Sequence, residues 1–496
     1  MSALAASRSF DDRLNPILVK EVRQALRGRY FRALFWLTLG VATLVGLTIV
    51  AQAGSHGART GVGRSFFMLM YGCLSAAVLA FTPFSAFLAT SAEWDENTHD
   101  LLVLSNLRPR RIVYGKLLSA LVQALLYFST FGPFLVFAFL MNGVDLLSIA
   151  VLLVTSFAAC ATLSLLGIAM ASLSPAKAPR VLLMAVFGVA LVIAWGFSMS
   201  FSAFVTFQPN ELRDPMALPS IVAFVVACLL LGGVFAALAV ARLSHDEENR
   251  SSGLRVLSAA IVLVAALFGL WMELEFGQSE FAWGLQLAVL LPLAILWLLF
   301  VCEPERLGRH VVRHVSPHPW LALLTAPFLP GGGRGVALMA LHMLLGLGAV
   351  FVVRLIPGAD AAELSQALIG LALVYAYAWI YLALPAAFAS LLPPKLSTRV
   401  MTRVTILCGI PMLVLLPPLA GLVLGIPSWM EFLHPLNPLF PLRELSSGRA
   451  FTSIEKLGFL VATVVAILAN TPRMTHGFAE VLAASRARRA ALAQPS

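Results

Sequence analysis

Residues 146–172 have the sequence LLSIAVLLVTSFAACATLSLLGIAMAS, which contains no charged side chain. About 20 apolar residues in a helix cross the ~30 Å hydrocarbon core of a membrane. The rest of the 496-residue chain has a similar character, since 60% of its residues are hydrophobic, only 12% are charged and the mean hydropathy is +0.90. A soluble domain has roughly 25% charged residues. The sequence therefore predicts an all-α fold, a polytopic membrane helix bundle.

Twelve apolar segments are predicted to cross the membrane. They lie near residues 33–52, 66–90, 117–141, 146–172, 180–202, 220–241, 254–272, 284–302, 336–356, 367–391, 402–426 and 454–470. The last is the weakest of the twelve, because it is short and is predicted to end at Asn470 and Pro472. An even number of spans places both termini on one side of the membrane.

The distribution of basic residues predicts which side that is. Segments retained in the cytoplasm are enriched in Lys and Arg. With the N-terminus inside, 27 of the 34 Lys and Arg residues fall in the predicted inner segments. The sequence thus predicts that the N-terminus and the C-terminus are both cytoplasmic. The net charge of +10 is then a signal of orientation, and no basic patch with aromatic residues predicts nucleic-acid binding.

Cysteines and histidines give no pattern typical of a metal site. The five cysteines lie in or at the ends of apolar spans without CxxC spacing, which predicts small buried side chains: Cys73, Cys160, Cys228, Cys302 and Cys408. His310, His314 and His318 recur every four residues, but nearby prolines would end a helix there. We expect a solvated basic loop. A flexible turn is predicted at Gly331–Gly335, because the chain has no G-x-x-x-x-G-K-[ST] motif.

An amphipathic helix is predicted before the first span, within a cytoplasmic N-terminal segment, residues 1–32. Asn15 can cap its N-terminus and Pro16 fits the first helical position. Apolar residues then recur at helical spacing, with basic residues carried on the other side. This pattern is typical of a helix that lies at the membrane surface. Its polar and end-defining residues are Asn15, Pro16, Lys20, Glu21, Arg23 and Arg27.

The inner loop 93–116 has an unusual order of residues. Acidic residues come first, a short apolar run follows and basic residues end the loop. A free cytoplasmic loop has no reason to carry Leu101, Leu102 and Leu104. The loop is therefore predicted to be a folded element that docks onto another protein.

These two segments together resemble the ABC-2 family of permeases. The N-terminal helix is similar to that family's interface helix, and the loop is similar to the family's segment E-x-x-E-x-T-x-(acidic)-L-L-x-L…P-x-x-I-x-x-G-K. The matching residues are Glu93, Glu96, Thr98, Asp100, Leu101, Leu102, Pro109, Ile112, Gly115 and Lys116. Asn97 departs from the family's usual Gly, and Ser105-Asn106 replaces a more usual Thr-Pro.

The resemblance implies a function and a partner. In the family this loop forms the coupling helix, which rests in a cleft of a separate P-loop ATPase subunit. It implies that ATP and Mg²⁺ bind to that partner, that this chain has no catalytic residue, cofactor or metal of its own, and that it lies in a bacterial cytoplasmic membrane. The docking residues would be Glu93, Glu96, Thr98, Asp100, Leu101, Leu102, Leu104, Pro109, Gly115 and Lys116. A second copy of the permease or a homologous one is a further expected partner, beside the lipid bilayer.

The resemblance covers a six-span module, residues 33–241. Residues 242–496 form a second six-span region, which is either a diverged repeat of the first or an unrelated membrane extension. Residues 303–334 stand where a second coupling helix would be, but they lack its motif. Asn437-Pro438-Leu439 is similar to an external segment before the final span of many ABC-2 permeases.

The energy source is predicted from what the spans lack. Ion-driven carriers place charged residues inside the membrane. Here the centres of the predicted spans contain no charged residue, with His342 as the one candidate titratable group and Gln123, Gln286 and Gln366 as the main polar ones. With no phosphate-binding loop in the chain either, this favours a permease powered by a separate ATPase, and the resemblance to the ABC-2 family implies that it is an exporter. Two alternatives stay open, which are a non-transporting scaffold or sensor that keeps the docking loop and a membrane enzyme that acts on lipid-linked substrates.

Overall fold

The computed structural model describes residues 16–55, 61–96, 109–244, 249–277, 279–355, 361–391, 399–424, 437 and 453–493. All regular structure in these ranges is helical, as the sequence predicted, and none of the described residues lies in a strand. The chain divides into two compact units, the first ending at Ser244 and the second beginning at His245.

Seven helices make up the described part of the first unit. They are α1 (Pro16–Arg27), α2 (Arg29–Ser55), α3 (Val62–Asp95), α4 (Pro109–Leu140), α5 (Leu146–Ser172), α6 (Lys177–Phe207) and α7 (Ala217–Leu243). A short 3₁₀ turn, Pro209–Arg213, precedes α7. Helix α1 begins at the proline that the sequence placed in the first turn.

Eight helices make up the described part of the second unit. They are α8 (Ser252–Phe276), α9 (Ser279–Val301), α10 (Arg309–His314), α11 (Pro319–Thr325), α12 (Gly332–Arg354), α13 (residues 361–390), α14 (Arg399–Leu424) and α15 (Ser453–Ala493). A single 3₁₀ turn, Ala326–Phe328, follows α11.

Ten helices in the described part of the chain are long and apolar enough to cross a membrane. The chain is therefore a multi-pass integral membrane protein. Helices α9 and α14 cover the other two predicted spans, but within their described residues only the shorter apolar stretches Pro292–Val301 and Val400–Leu415 stand out. The count of twelve and the side on which the termini lie stay predictions.

Helix α15 extends beyond the residues at which the last span is predicted to end. Helix α15 does not stop near Asn470 and Pro472 but continues through Pro472 for 41 residues in all, about 61 Å at 1.5 Å per residue. Proline removes one backbone hydrogen bond from a helix without necessarily ending it. The buried Asn470 amide, which donates to the carbonyls of Ala466 (2.9 Å) and Ala383 (2.9 Å), fixes the helix just before the proline.

Several polar side chains inside the first unit form hydrogen bonds between helices. The Tyr71 hydroxyl on α3 lies 2.8 Å from the Ser156 hydroxyl on α5 and 2.7 Å from the Ser198 hydroxyl on α6. Gln123 on α4 accepts a hydrogen bond from Ser85 on α3 (3.1 Å). Because unpaired polar groups in hydrocarbon cost several kcal/mol, these contacts set the register between the apolar helices.

Each unit contains one apolar helix with a π-helical segment followed by a proline. In α3 the π segment is Ala76–Phe81 and Pro83 follows it, whereas in α13 the π segment is Trp379–Ala383 and Pro385 follows it. The Thr82 hydroxyl donates to the Ala77 carbonyl (3.0 Å), so the widened turn keeps its polar groups paired. Such segments are local weak points in otherwise regular helices.

The start of α3 touches the turn between α4 and α5 through glycine backbones. A Cβ on Gly63 would lie 2.7 Å from the Met141 carbonyl oxygen, and a Cβ on Gly143 would collide with the backbone carbonyl of Gly63. Both glycines are buried. The two segments can approach this closely only because neither position has a side chain.

We expect Gly143→Ala to destabilise the first unit, because the added methyl group must push the two backbones apart. Overpacking of this kind costs about 1–3 kcal/mol. Thermal unfolding in detergent measures the effect. It is monitored as the loss of the monodisperse peak in size-exclusion chromatography.

The matched control is Gly132→Ala in α4, where a Cβ would meet no atom within 4 Å. Alanine is favoured over glycine inside a helix, so this variant should unfold at the same temperature as the native chain or at a higher one. Equal losses in the two variants would contradict the close backbone contact.

Candidate functional site

The two ends of loop 93–116 are held together by an ion pair. Glu93 lies near the C-terminus of α3 and Lys116 in the second turn of α4. The Lys116 ammonium donates to the Glu93 carboxylate at 2.7 Å, and both side chains are largely buried. The loop therefore leaves and re-enters the helical bundle at one point.

Helix α1 joins this ion pair through a second carboxylate. The Glu21 carboxylate accepts a hydrogen bond from the same Lys116 ammonium at 3.2 Å, and Glu21 is itself buried. Helix α1 packs on α4, while Lys20, Arg23 and Arg27 face outward from it. The amphipathic helix is thus fixed to the start of α4 by its one acidic residue.

A separate ion pair ties the end of α3 to α6. The Arg180 guanidinium in the first turn of α6 donates to the Asp95 carboxylate, and Arg180 is buried. Residues 93–95 consequently bind three different helices, which are α1 through the shared lysine, α4 and α6. We call Glu21, Glu93, Asp95, Lys116 and Arg180 the basal cluster.

The sequence predicted some members of the basal cluster and missed others. Glu93, Lys116 and Glu21 were among the predicted site residues, but Lys116 was not predicted to join Glu21, which lies 95 positions earlier in the chain. Asp95 and Arg180 were not predicted as site residues. The signal that could have found them is a charged residue in the turn next to an apolar span, where a charge needs a partner.

The remaining predicted residues divide into two groups. Glu96 is exposed just after the end of α3, Pro109 begins α4, and Gly115 lies buried beside Lys116. The other predicted residues lie outside the described part of the chain, and these are Asn15, Thr98, Asp100, Leu101, Leu102 and Leu104.

The basal cluster couples the movements of the helices whose ends it connects. A buried charge without a partner costs several kcal/mol, so Lys116 holds its two carboxylates together strongly. Helix α4 is 32 residues long, about 48 Å, and continues from the cluster into the apolar bundle. A displacement of loop 93–116 must therefore move α1, α3 and α4 together or break the cluster.

The second unit contains its own buried network of charged residues. The Arg255 guanidinium at the start of α8 donates to the Glu303 carboxylate (2.8 Å) and to the Gly331 carbonyl (2.8 Å). The Glu303 carboxylate also accepts the Gly331 amide (2.8 Å). Arg255 is fully buried. The segment after α9 is thereby fixed to the segment before α12.

Two further arginines complete this second network. The fully buried Arg334 guanidinium donates to the Glu480 carboxylate (3.0 Å) and to the carbonyls of Gly477 (3.0 Å) and Glu305 (2.8 Å). Arg473 donates to the Glu305 carboxylate at 2.9 Å. Helix α15 is therefore held to the start of α12 through Arg334 and to the segment after α9 through Arg473.

The predicted flexible turn at Gly331–Gly335 is wrong. Helix α12 begins at Gly332, and all five residues of the segment are buried. A Cβ on Gly332 would lie 2.8 Å from the Val301 carbonyl oxygen, and a Cβ on Gly335 would lie 2.7 Å from that of Phe300. The glycines are there because α12 packs directly on the backbone that ends α9.

The three histidines lie on or beside short helices. His310 and His314 are exposed on α10, and His318 is exposed just before α11. The His314 ring Nδ1 lies 2.8 Å from the His310 carbonyl oxygen. Among the described residues, no group of three His, Cys, Asp or Glu side chains could hold a metal ion.

No protein-family model, no curated protein and no solved structure matches this chain. The function proposed below therefore depends on the sequence resemblance and on the geometry of the basal cluster.

We expect Lys116→Met to destabilise the first unit by about 3 kcal/mol, because it leaves two buried carboxylates without their shared cation. Adding Glu21→Gln and Glu93→Gln to the same chain should recover part of the loss, since the carboxylates no longer carry charge. Thermal unfolding in detergent measures all of these variants.

The control is Arg110→Met, which removes an exposed positive charge from the same helix. It should unfold within a degree or so of the native chain, since exposed charges contribute about 0–1 kcal/mol. If Lys116→Met behaves like Arg110→Met, the cluster does not hold the helices together.

Proposed function

We propose that this chain is the membrane-spanning permease subunit of an ABC transporter, powered by a separate P-loop ATPase that docks on loop 93–116. One observation carries the proposal. The loop that resembles the family's coupling helix is joined at its base, through Lys116, to the helix that resembles the family's interface helix. The two segments on which the resemblance depends are thus one physical element.

The proposed mechanism follows from this joint. Closure of two ATPase subunits on ATP pushes the loop, with Leu101, Leu102 and Leu104 as the docking side chains. Glu93 and Glu96 orient the start of the loop, and Lys116 fixes its end to α4. Because α3 and α4 share the basal cluster, the push tilts both helices and opens a path through the membrane.

The remaining parts of the proposal concern the assembly. ATP and Mg²⁺ bind to the ATPase subunit, and this chain contributes no catalytic residue. The natural location is a bacterial cytoplasmic membrane with the loop on the cytoplasmic side, and export of a substrate is the favoured direction. The second unit either takes the role of a second permease copy or is present in addition to one.

Co-purification tests the proposal directly. The tagged chain is expressed with candidate P-loop ATPase subunits from the same genome, as the native chain and as Leu101→Asp/Leu102→Asp. The native chain should recover one ATPase and stimulate its ATP hydrolysis. The variant should lose most of both, because two buried leucines contribute about 1.5–3 kcal/mol each to an interface and a carboxylate in their place adds a desolvation cost.

A matched control places two aspartates in the second unit, as Ala491→Asp/Leu492→Asp. These residues are exposed at the end of α15, so the variant should fold and recover the ATPase like the native chain. If no ATPase is recovered with the native chain, the permease proposal fails in favour of a scaffold or sensor. If both variants lose the ATPase equally, docking does not occur through loop 93–116.

A further inference from the structure

The second unit carries a small folded subdomain between α9 and α12. Helices α10 and α11 pack against the C-terminal part of α15 around a compact apolar core, whose buried members are Val315, Ala322, Ala326, Val481 and Ala484. The Arg488 guanidinium donates to the Val315 carbonyl at 2.6 Å. We call residues 306–329 and 476–489 the basic platform.

The charge of this region is almost entirely positive. Residues 306–334 and 473–493 contain eight arginines and a single acidic residue, Glu480, which Arg334 already binds. Arg309, Arg313 and Arg486 are exposed on the platform. Loop 93–116 differs in kind, since the four acidic groups in its first eight residues are balanced by four basic residues at its end.

An apolar ridge lies on α11, the next helix in the chain after Arg309 and Arg313. Helix α11 buries Ala322 against α15 but exposes 83% of Trp320, 51% of Leu321 and 72% of Leu324. These three positions share one face of the helix, because they are separated by one, three and four residues. Three large apolar side chains on one exposed face of a short helix mark a surface that another phase or molecule covers.

The position of the ridge in the chain points to the membrane surface. Residues 302–331 connect α9 to α12, two apolar helices, so the platform cannot lie far from the end of the bilayer. Tryptophan is enriched where membrane and water meet. A helix with an apolar face and flanking arginines is typical of segments that lie in the headgroup region of an anionic membrane.

We propose that the basic platform binds anionic phospholipid headgroups of the membrane in which the chain is embedded, with Trp320, Leu321 and Leu324 inserted at the boundary between headgroups and acyl chains. Arg309, Arg313 and Arg486 supply the charge that selects anionic lipid. Lipid bound here anchors α11, and through the platform core it anchors the end of α15. Because α15 is tied to α12 by the second charged network, lipid composition sets how firmly this end of the second unit is held.

The test measures how deeply α11 inserts. A nitroxide label is placed on Leu324→Cys in the full chain, in a background with Cys73→Ala and Cys408→Ser. The protein is reconstituted in nanodiscs of phosphatidylcholine alone or of phosphatidylcholine with phosphatidylglycerol. Collision of the label with oxygen, which is concentrated in lipid, is compared with collision with a water-soluble nickel chelate.

The label should be protected from nickel and open to oxygen in the anionic nanodiscs, and should move toward water in phosphatidylcholine alone. One basic residue near an anionic surface is worth about fivefold in membrane partition. Arg309→Ala/Arg313→Ala should therefore shift the ratio of inserted to water-exposed label by roughly 25-fold toward water. A label at the exposed Ala176→Cys in the first unit should show no such dependence on lipid. The Leu324→Cys label carried in a Leu101→Asp/Leu102→Asp chain should keep the lipid dependence of its parent.

Three outcomes would overturn the proposal. A label open to nickel in both lipid mixtures means that the ridge faces water. A label shielded from both oxygen and nickel means that protein covers the ridge. Equal insertion in both mixtures, unchanged by the loss of the two arginines, means that the platform does not recognise anionic headgroups. None of these results depends on an ATPase, so the permease proposal can fail while this one stands.

Discussion

Lys116 carries an ammonium group at a buried position where the loop 93–116 rejoins the helical bundle. A cation there is tolerated only with carboxylates beside it, because removing an unpaired charge from water costs several kcal/mol. Glu93 and Glu21 satisfy this requirement and in doing so bring together the ends of α1, α3 and α4. The arrangement of the first unit at this end follows from one electrostatic constraint, since apolar packing alone leaves helices free to slide and rotate.

The second unit meets the same constraint with different residues. Arg255, Arg334 and Arg473 are paired with Glu303, Glu480 and Glu305. Arginine suits these positions because one guanidinium can bind several oxygens at once. In both units, charged residues pair with one another near the ends of apolar helices. The two units thus use a common physical solution, although their charged residues do not follow a common sequence motif.

The sequence was sufficient to predict the helices but not the partners of their buried charged side chains. Apolar length predicted where the described helices run, because hydrocarbon imposes a minimum number of residues on every span. It did not predict that α15 continues beyond Pro472, since the hydropathy falls where polar residues begin while the helix is held by contacts with Glu305 and the platform core. It failed at Gly331–Gly335, because consecutive glycines are as typical of close backbone packing as of flexibility. The partners of Lys116 and Arg180 could not be predicted, since a buried charge indicates that it has a partner but not which residue the partner is.

The glycine contact between Gly63 and Gly143 has a mechanical consequence. It lies at the first turn of α3, whereas Glu93 lies near the last, so the helix is held at both extremities by very different means. At one extremity two backbones touch with no side chain between them. Helix α3 cannot slide or rotate there without losing this contact. At the other extremity, the contact consists of three charged side chains, Lys116 with Glu21 and Glu93. The π segment and Pro83 lie between these two points, so the turns of α3 that deform most easily lie in its middle, between two fixed ends.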